Sequence, residues 1–142
     1  MSKKDLYINE LTSCLKEMVC EDLKAGAAAP LSDIPGGCYI SQLIVGDYTA
    51  FTALYAEDAV LNAFASAYAK FDVSPDDRDE ILADFLNMTN GRFAVLLSNS
   101  QSVECTLSVP EYKPPGTVTL RSDSVAIPVE FPFGSICFIF SE

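Results

Sequence analysis

The chain has 142 residues, 49% hydrophobic and 20% charged, which predicts one globular domain with a single core rather than a disordered chain. Its net charge of −11 comes from 20 acidic and 9 basic residues and argues against nucleic acid and anionic membrane surfaces as partners, because both bind clustered cations. Histidine is absent, which excludes catalytic sites with an imidazole base and the usual zinc and iron ligand sets.

The first residues of the sequence do not form the apolar stretch of a signal peptide, and no 18 apolar residues run together. We therefore expect a soluble cytoplasmic protein. No glycine-rich phosphate-binding loop is present. The five cysteines include no CxxC pair, a pattern typical of reduced and mostly buried thiols.

A first helix is predicted over residues 4–24, because apolar and acidic side chains fall on different faces. The apolar face carries Leu11, Leu15, Met18 and Val19, and the acidic face carries Glu10, Glu17 and Glu21. Residues 25–37 contain Pro and paired Gly, which indicates a connector. Residues 1–36 are thus interpreted as a cover helix and its connector.

The central part of the chain predicts a hairpin followed by a buried helix. Two β-branched and aromatic runs, 38–45 and 48–55, flank the turn dipeptide Gly46-Asp47. Residues 59–71 are apolar on nearly every side, as expected of a helix in the core.

A third helix is predicted to begin at Ser74-Pro75-Asp76-Asp77, where serine can cap and the acids complement the helix dipole. Its apolar face has Ile81, Leu82, Phe85 and Leu86, and the other side has Asp77, Glu80, Asp84, Asn87 and Gly91. We expect Asp84 and Asn87 to be exposed. Local rules leave open whether Asn90-Gly91 ends the helix and begins a strand.

Four strands are predicted after the third helix, at residues 102–109, 116–121, 124–130 and 134–141, with breaks at Pro114-Pro115 and Pro132. The order of elements indicates a single α+β domain, residues 1–142, with an antiparallel-rich sheet and helices packed on it.

Four residues form a spaced pattern: Glu80, three residues, Asp84, two residues, Asn87, then 22 residues and Pro110. Asn87-Met88 is followed by Gly91, and Ile127-Pro128-Val129 precedes Gly134-Ser135-Ile136. This pattern resembles the CheC, CheX and FliY group of chemotaxis phosphatases, most closely the CheX branch. The likeness covers residues 37–142.

The resemblance implies that the third helix continues past Gly91 to about residue 98. It also implies phosphatase activity toward a phosphorylated CheY-type response regulator, with Asp84 and Asn87 as the catalytic pair. The Asn87 amide would position a water for attack on the aspartyl phosphate, and the carboxylate would pair with a lysine of the receiver. Glu80, Gly91 and Pro110 are accessory motif positions.

Two further expectations follow from the same resemblance. The protein needs no cofactor of its own, because the receiver holds the magnesium ion. Relatives pair through sheet edges, and the stretch 137–140 is strongly apolar, so a homodimer is expected.

The sequence departs from the family pattern at Asp84, where the family has glutamate. Aspartate keeps the charge but shortens the side chain by about 1.5 Å, one carbon–carbon bond, so the carboxylate could fall short of its lysine. Two alternatives to a phosphatase therefore remain: a module that binds a receiver without hydrolysis, and an assembly protein that uses the fold to dimerise.

Overall fold

The structure is a computed structural model that describes residues 2–30, 33–34, 38–113, 118–119 and 124–142. Within these ranges the helices are α1 (Lys3–Met18), α2 (Asp58–Ala69) and α3 (Arg78–Gln101). The strands are β1 (Lys24–Ala25), β2 (Ala29–Pro30), β3 (Asp33–Ile34), β4 (Cys38–Gly46), β5 (Ala50–Ala56), β6 (Cys105–Leu107), β7 (Glu111–Lys113), β8 (Val118–Thr119), β9 (Val125–Phe131) and β10 (Gly134–Ser141).

An antiparallel sheet organises the described part of the chain, with strand order β1-β9-β10-β5-β4-β6. β2 extends the pairing along β9, and β7 extends it along β4. β3 and β8 pair separately. The architecture is the predicted single α+β domain with helices on an antiparallel sheet.

The main core lies between the helices and one face of the sheet, where aromatic rings interlock. Tyr7 stacks on Phe140 at 4.5 Å and meets Phe93 edge-on at 5.4 Å. Phe64 meets Phe85 edge-on at 5.0 Å. Edge-to-face and offset pairs of this kind contribute about 0.5–1.5 kcal/mol beyond the area they bury. These rings join α1, α2 and α3 to the sheet.

The opposite face of the sheet has a smaller cluster, in which Ala53 and Ile139 are fully buried. Ser41 of β4 pairs in register with Ala53, so its side chain lies on this second face. Its neighbour Gln42 therefore points to the main core, because side chains alternate along a strand.

The predicted first helix is too long, because α1 ends at Met18 rather than near residue 24. The amide of Cys20 bonds back to the carbonyl of Leu15, after which the chain leaves the helix and pairs with β9 through β1 and β2. These short strands lie in a segment that the sequence indicated only as the end of a helix and a connector.

Two details at the ends of α2 and α3 were also predicted wrongly. Phe71 lies beyond the end of α2 and is 62% exposed, rather than part of a buried helix. Ser74 does not cap α3, which begins at Arg78; its hydroxyl donates to the Asp77 carboxylate at 3.1 Å. Ser74 thus stabilises the turn before the helix.

Helix α3 continues through Gly91 to Gln101, so the extension implied by the resemblance is confirmed. The local stop signal at Asn90-Gly91 fails because tertiary contacts hold the helix there. Asn90, Phe93 and Leu97 are all buried on its inner face. Burial of such a face outweighs the cost of about 1 kcal/mol for glycine in a helix.

Of the strands predicted after α3, 124–130 and 134–141 match β9 and β10 closely. The strand predicted at 102–109 is shorter in the structure, where it is β6, and β7 was not predicted. Most of the predicted strand 116–121 lies outside the described residues. β10 lies between β9 and β5. The apolar stretch 137–140 is therefore inside the sheet and does not form a free edge.

No helix in the described ranges is both long and apolar enough to cross a membrane. The four cysteines whose side chains are described, Cys14, Cys20, Cys105 and Cys137, are not in disulfides. Burial raises the pKa of the Cys14 and Cys137 thiols, which keeps both protonated at neutral pH.

Candidate functional site

Asp84 and Asn87 are both exposed, one turn apart on the outer face of α3, as predicted. Phe85 and Leu86, between them in sequence, point into the core. Glu80 is exposed one turn earlier, Gly91 is half-buried one turn later, and Pro110 is half-buried after β6. The helix period of 3.6 residues explains why the motif positions on α3 line up.

The Asp84 carboxylate is held by α2. The hydroxyl of Tyr68 donates to Asp84 Oδ2 at 2.7 Å, and the Tyr68 ring meets Phe85 edge-on at 5.4 Å. Burial and the bond to Asp84 raise the pKa of the Tyr68 hydroxyl above its usual range, so the phenol stays a donor at neutral pH. One oxygen of Asp84 is thus engaged within the protein, and Oδ1 has no hydrogen-bond or ion-pair partner among the described residues.

Asn87 is held from beneath by the sheet. The side-chain nitrogen Nε2 of Gln42, on β4, donates to Asn87 Oδ1. A carbonyl oxygen has two lone pairs, so Oδ1 can accept a second hydrogen bond. Asn87 Nδ2 has no hydrogen-bond partner in the part of the chain that the structure describes. Asn87 therefore offers one further acceptor position and two donor hydrogens toward solvent.

A buried polar network lies under Asn87. Asn90 Nδ2 donates to Gln42 Oε1 at 2.8 Å and to Thr52 Oγ1 at 2.9 Å. Gln42, Thr52 and Asn90 are 1% exposed or less. Buried amides that are joined in this way resist rotation, because each rotation breaks more than one bond.

The network also connects Asn87 to the segment that precedes Pro110. Gln42 Nε2 donates to the backbone oxygen of Ser108 at 2.9 Å, in addition to its bond to Asn87. Ser108 precedes Pro110 by two positions. Asn87 and Pro110 thus lie on two separate segments of the chain, and the side chain of Gln42 bridges these segments.

Exposed apolar side chains flank the polar pair on α3. Beyond Asn87, an open groove is lined by Met88, Gly91, Arg92 and Val95, and Val95 is 58% exposed. Beside Asp84, a second groove has Tyr68, Ile81 and the exposed ring of Phe71 in its wall. Exposed apolar side chains that are grouped on one surface are typical of a protein-binding site.

Arg92 lies at the rim of the first groove and pairs with Glu17 of α1 at 3.0 Å. This pair lowers the pKa of the Glu17 carboxyl. An exposed ion pair of this kind contributes little to stability.

The sequence pattern did not identify Gln42, Thr52, Asn90 or Tyr68 as parts of the site. A signal was present for the first two: Gln42 occupies an inward position of β4 between Ile40 and Ile44, and Thr52 occupies one of β5 between Ala50 and Leu54. A polar residue at a core position of a strand must find hydrogen-bond partners. The partners themselves could not be read from the sequence.

No group of three or more Cys, Asp or Glu side chains is placed to hold a metal ion in the described ranges. The arrangement at Asp84 and Asn87 consists of one carboxylate oxygen, one amide and a hydrophobic rim. These groups can orient a reacting molecule and pair with a cation, but none of them is a strong nucleophile.

Comparison with known proteins gives similarity at the level of structure. Neither the protein-family models nor the curated proteins contain a match to the sequence. A chain of the CheX–CheY–BeF3–Mg²⁺ complex from Borrelia burgdorferi matches with a TM-score of 0.82 and 14% identity, over 99% of this chain and 97% of that one.

Two further solved structures match over nearly the whole length. A CheC-like superfamily protein from Shewanella sp. PV-4 has a TM-score of 0.81 and 18% identity, with 99% and 98% of the two chains covered. The chemotaxis protein CheX from Desulfovibrio desulfuricans has a TM-score of 0.80 and 15% identity, with the same coverage. The chain therefore has a CheX-like fold.

Proposed function

We propose that this protein is a CheX-like phosphatase that hydrolyses the aspartyl phosphate of a CheY-type response regulator, in chemotaxis or a related two-component system. The observation that carries the proposal is the pairing of Asp84 and Asn87 on α3. Both are exposed, and each is held in place by one hydrogen bond from another element. Side chains fixed in this way are suited to orienting a substrate.

The kind of partner is supported by the similar fold in the CheX–CheY complex. In the proposed complex α3 docks on the receiver, with Asp84 and Asn87 over the phosphorylated aspartate. The exposed side chains Phe71, Met88 and Val95 would supply apolar contacts around them. Apolar contacts around a polar centre exclude water from the interface and strengthen the central hydrogen bonds.

The proposed reaction is an in-line attack by water on phosphorus. The free lone pair of Asn87 Oδ1 would accept a hydrogen from the water, which aims the water oxygen at the phosphorus atom. Asn87 Nδ2 would donate to a phosphoryl oxygen. The phosphorus–oxygen bond to the receiver aspartate breaks, leaving that aspartate as a carboxylate, and the water proton leaves with the inorganic phosphate.

Asp84 would pair through Oδ1 with a lysine of the receiver, so that positive charge no longer stabilises the phosphoryl group. A magnesium ion would be held by the receiver rather than by this chain. We also propose that the protein acts in the cytoplasm and functions as a homodimer.

A receiver-binding module without hydrolysis is the second candidate, and the Tyr68–Asp84 hydrogen bond favours it. That bond holds a side chain already shorter than the family glutamate. A carboxylate misplaced by about 1 Å can cost on the order of 100-fold in rate. Binding would survive such a misplacement, because the apolar rims are unaffected.

Decay of receiver phosphate, measured with and without the protein at substoichiometric concentration, tests the proposal. Acceleration is expected, and Asn87→Ala should abolish it by removing the amide that orients the water. Asn99→Ala is the matched control, because Asn99 is an exposed asparagine on the same helix, away from the site. If the parent binds several receivers and leaves their phosphates unchanged, the binding module replaces the phosphatase.

A further inference from the structure

Gln42 is a polar residue in a position that a hydrophobic residue would ordinarily fill. It lies in β4 between the buried Ile40 and Ile44 and is 1% exposed. A buried amide is costly unless its donors and acceptor are paired. Its hydrogen bonds therefore determine which way the amide faces.

The orientation of Gln42 is set by its partners. The backbone oxygen of Ser108 can only accept, so it must face the nitrogen Nε2, at 2.9 Å. On the other side, Gln42 Oε1 accepts from Asn90 Nδ2 at 2.8 Å. The opposite orientation of Gln42 would place two oxygens against each other at Ser108 and two nitrogens against each other at Asn90.

The orientation of Asn90 is fixed in the same way. The hydroxyl of Thr52 donates its single hydrogen to the backbone oxygen of Gln42 at 2.9 Å. Thr52 Oγ1 can therefore only accept from Asn90, at 2.9 Å. Asn90 must turn its nitrogen toward both Thr52 and Gln42, and the direction of every bond in the network follows.

The last bond of this network reaches the surface at Asn87. Because Gln42 presents a nitrogen there, Asn87 must turn its oxygen toward Gln42, which occupies one lone pair of Oδ1 and leaves Nδ2 on the outer side. We infer that Gln42 is a positioning residue for Asn87, which fixes the side-chain rotamer and presents the Nδ2 group to the phosphoryl group of the partner. This inference rests on the proposed function for the identity of that partner.

The geometry of the network indicates that Gln42 positions Asn87 rather than contributing to the stability of the fold. Asn87 is exposed, and an exposed asparagine normally rotates among several rotamers. Beneath it, Asn90 Oδ1 is buried and has no hydrogen-bond partner among the described residues. A network that leaves an acceptor unpaired stabilises a fold poorly, whereas it still holds Asn87 in one orientation.

The first experiment uses the parent protein and measures the order of side-chain amide groups by ¹⁵N relaxation in solution. Asn87 and Asn99 are both exposed asparagines of α3, but only Asn87 is bonded to Gln42. We expect the Asn87 NH₂ group to be rigid and that of Asn99 to be mobile. Equal mobility of the two groups would overturn the inference without any substitution.

The second experiment removes the donor with Gln42→Met, which keeps a similar length and an apolar surface. Ser41→Ala is the control, because Ser41 is the neighbouring buried residue on the opposite face of the same strand. We expect Gln42→Met to make the Asn87 NH₂ group mobile and to lower kcat for receiver-phosphate hydrolysis by about 10- to 100-fold with KM unchanged. Ser41→Ala should change neither the mobility of the Asn87 NH₂ group nor kcat.

The outcomes separate this inference from the proposed function. If the parent does not hydrolyse receiver phosphate, the phosphatase is rejected, and the amide order of Asn87 alone decides whether Gln42 positions it. If Gln42→Met leaves the Asn87 amide rigid, or makes it mobile with kcat unchanged, the positioning role is rejected while the phosphatase stands.

Discussion

Asp84 and Asn87 are held by the fold in different ways, and the difference bears on what each can do. Asn87 is bonded to a buried amide that is itself fixed by two further partners. Asp84 is bonded to a half-buried phenol at the surface. The amide is thus presented outward by the core, whereas the carboxylate shares its charge with Tyr68 before any partner arrives.

Asp84→Glu is expected to raise the rate of receiver-phosphate hydrolysis. The added methylene extends the carboxylate toward the partner by about 1.5 Å, which would restore its contact with the receiver lysine. The rates of the parent and the variant are compared at equal receiver occupancy. An unchanged rate would show that side-chain length does not limit the reaction.

Tyr68→Phe should lower the free energy of unfolding by about 0.5–1.5 kcal/mol at neutral pH, through loss of one hydrogen bond. Because burial and Asp84 raise the pKa of Tyr68 in the folded state, this contribution is fully present below about pH 10, the unfolded pKa. It is lost as pH rises from there through the folded pKa.

Denaturant unfolding of the parent and of Tyr68→Phe over a range of pH measures this contribution. Tyr7 is buried, and its pKa is also raised, but its effect cancels in the difference between the two proteins. The difference in the free energy of unfolding between the two proteins should be constant up to about pH 10 and shrink above it. A difference that shrinks between neutral pH and pH 9 would contradict the assignment.

Among the elements, α3 combines a rigid inner face with an accessible outer one. Its inner side chains reach the sheet through Asn90 and the aromatic core, and its outer side carries the motif. Gly91 lies in the middle, and a Cβ added there would meet no atom within 4 Å. Nothing within the described protein therefore requires glycine at this position.

Gly91→Ala should stabilise the protein by about 0.5–1 kcal/mol, because alanine has the higher helix propensity. It should also weaken the interaction with the receiver if the partner backbone approaches α3 at this point. Denaturant unfolding measures the change in stability, and a binding titration with the receiver measures the change in affinity. Unchanged binding would show that the glycine is not needed for docking.

Gly134→Ala is the opposite case and should destabilise the protein by more than about 1 kcal/mol. Gly134 has φ +140, and an added Cβ would lie 2.6 Å from Val60 Cγ2. Denaturant unfolding of the parent and of Gly134→Ala measures this loss of stability. A neutral result would mean that the β9–β10 turn adjusts at no cost.

For the molecule as a whole, the position of β10 changes the argument for self-association. The apolar stretch 137–140 was expected to serve a sheet edge, but it pairs with β9 on one side and β5 on the other. Its hydrophobicity is explained by burial within the protein. The dimer therefore remains a prediction from the resemblance.

Light scattering at micromolar concentration should give twice the monomer mass of 15.4 kDa. If the dimer forms through a sheet edge, it should use β6 and β7 on one side or β1 and β2 on the other, since these are the outer strands of the sheet in the described ranges. A monomeric mass at this concentration would reject self-association.

The sequence by itself determined the α+β class, the β4–β5 hairpin, the strand β10 and the exposed pair on α3. The exposed pair follows from helical periodicity, because the period of apolar residues reports which face of a helix is buried. The hairpin and strand β10 follow from β-branched and aromatic runs between turn residues, and the class follows from the order of elements. The resemblance to the CheC, CheX and FliY group, which the motif residues carry, then implied the fold and the position of the candidate site.

Only the tertiary structure decided the end of α1 and the partners of Asp84 and Asn87, and it confirmed the continuation of α3 through Gly91, which local rules had left open. Gln42 and Asn87 are 45 positions apart, and Tyr68 and Asp84 are 16 apart. Contacts of this kind depend on how helices and strands pack in space, which local propensity and periodicity do not encode. The packed core overrides the stop signal at Gly91, and the same packing places a buried glutamine beneath Asn87.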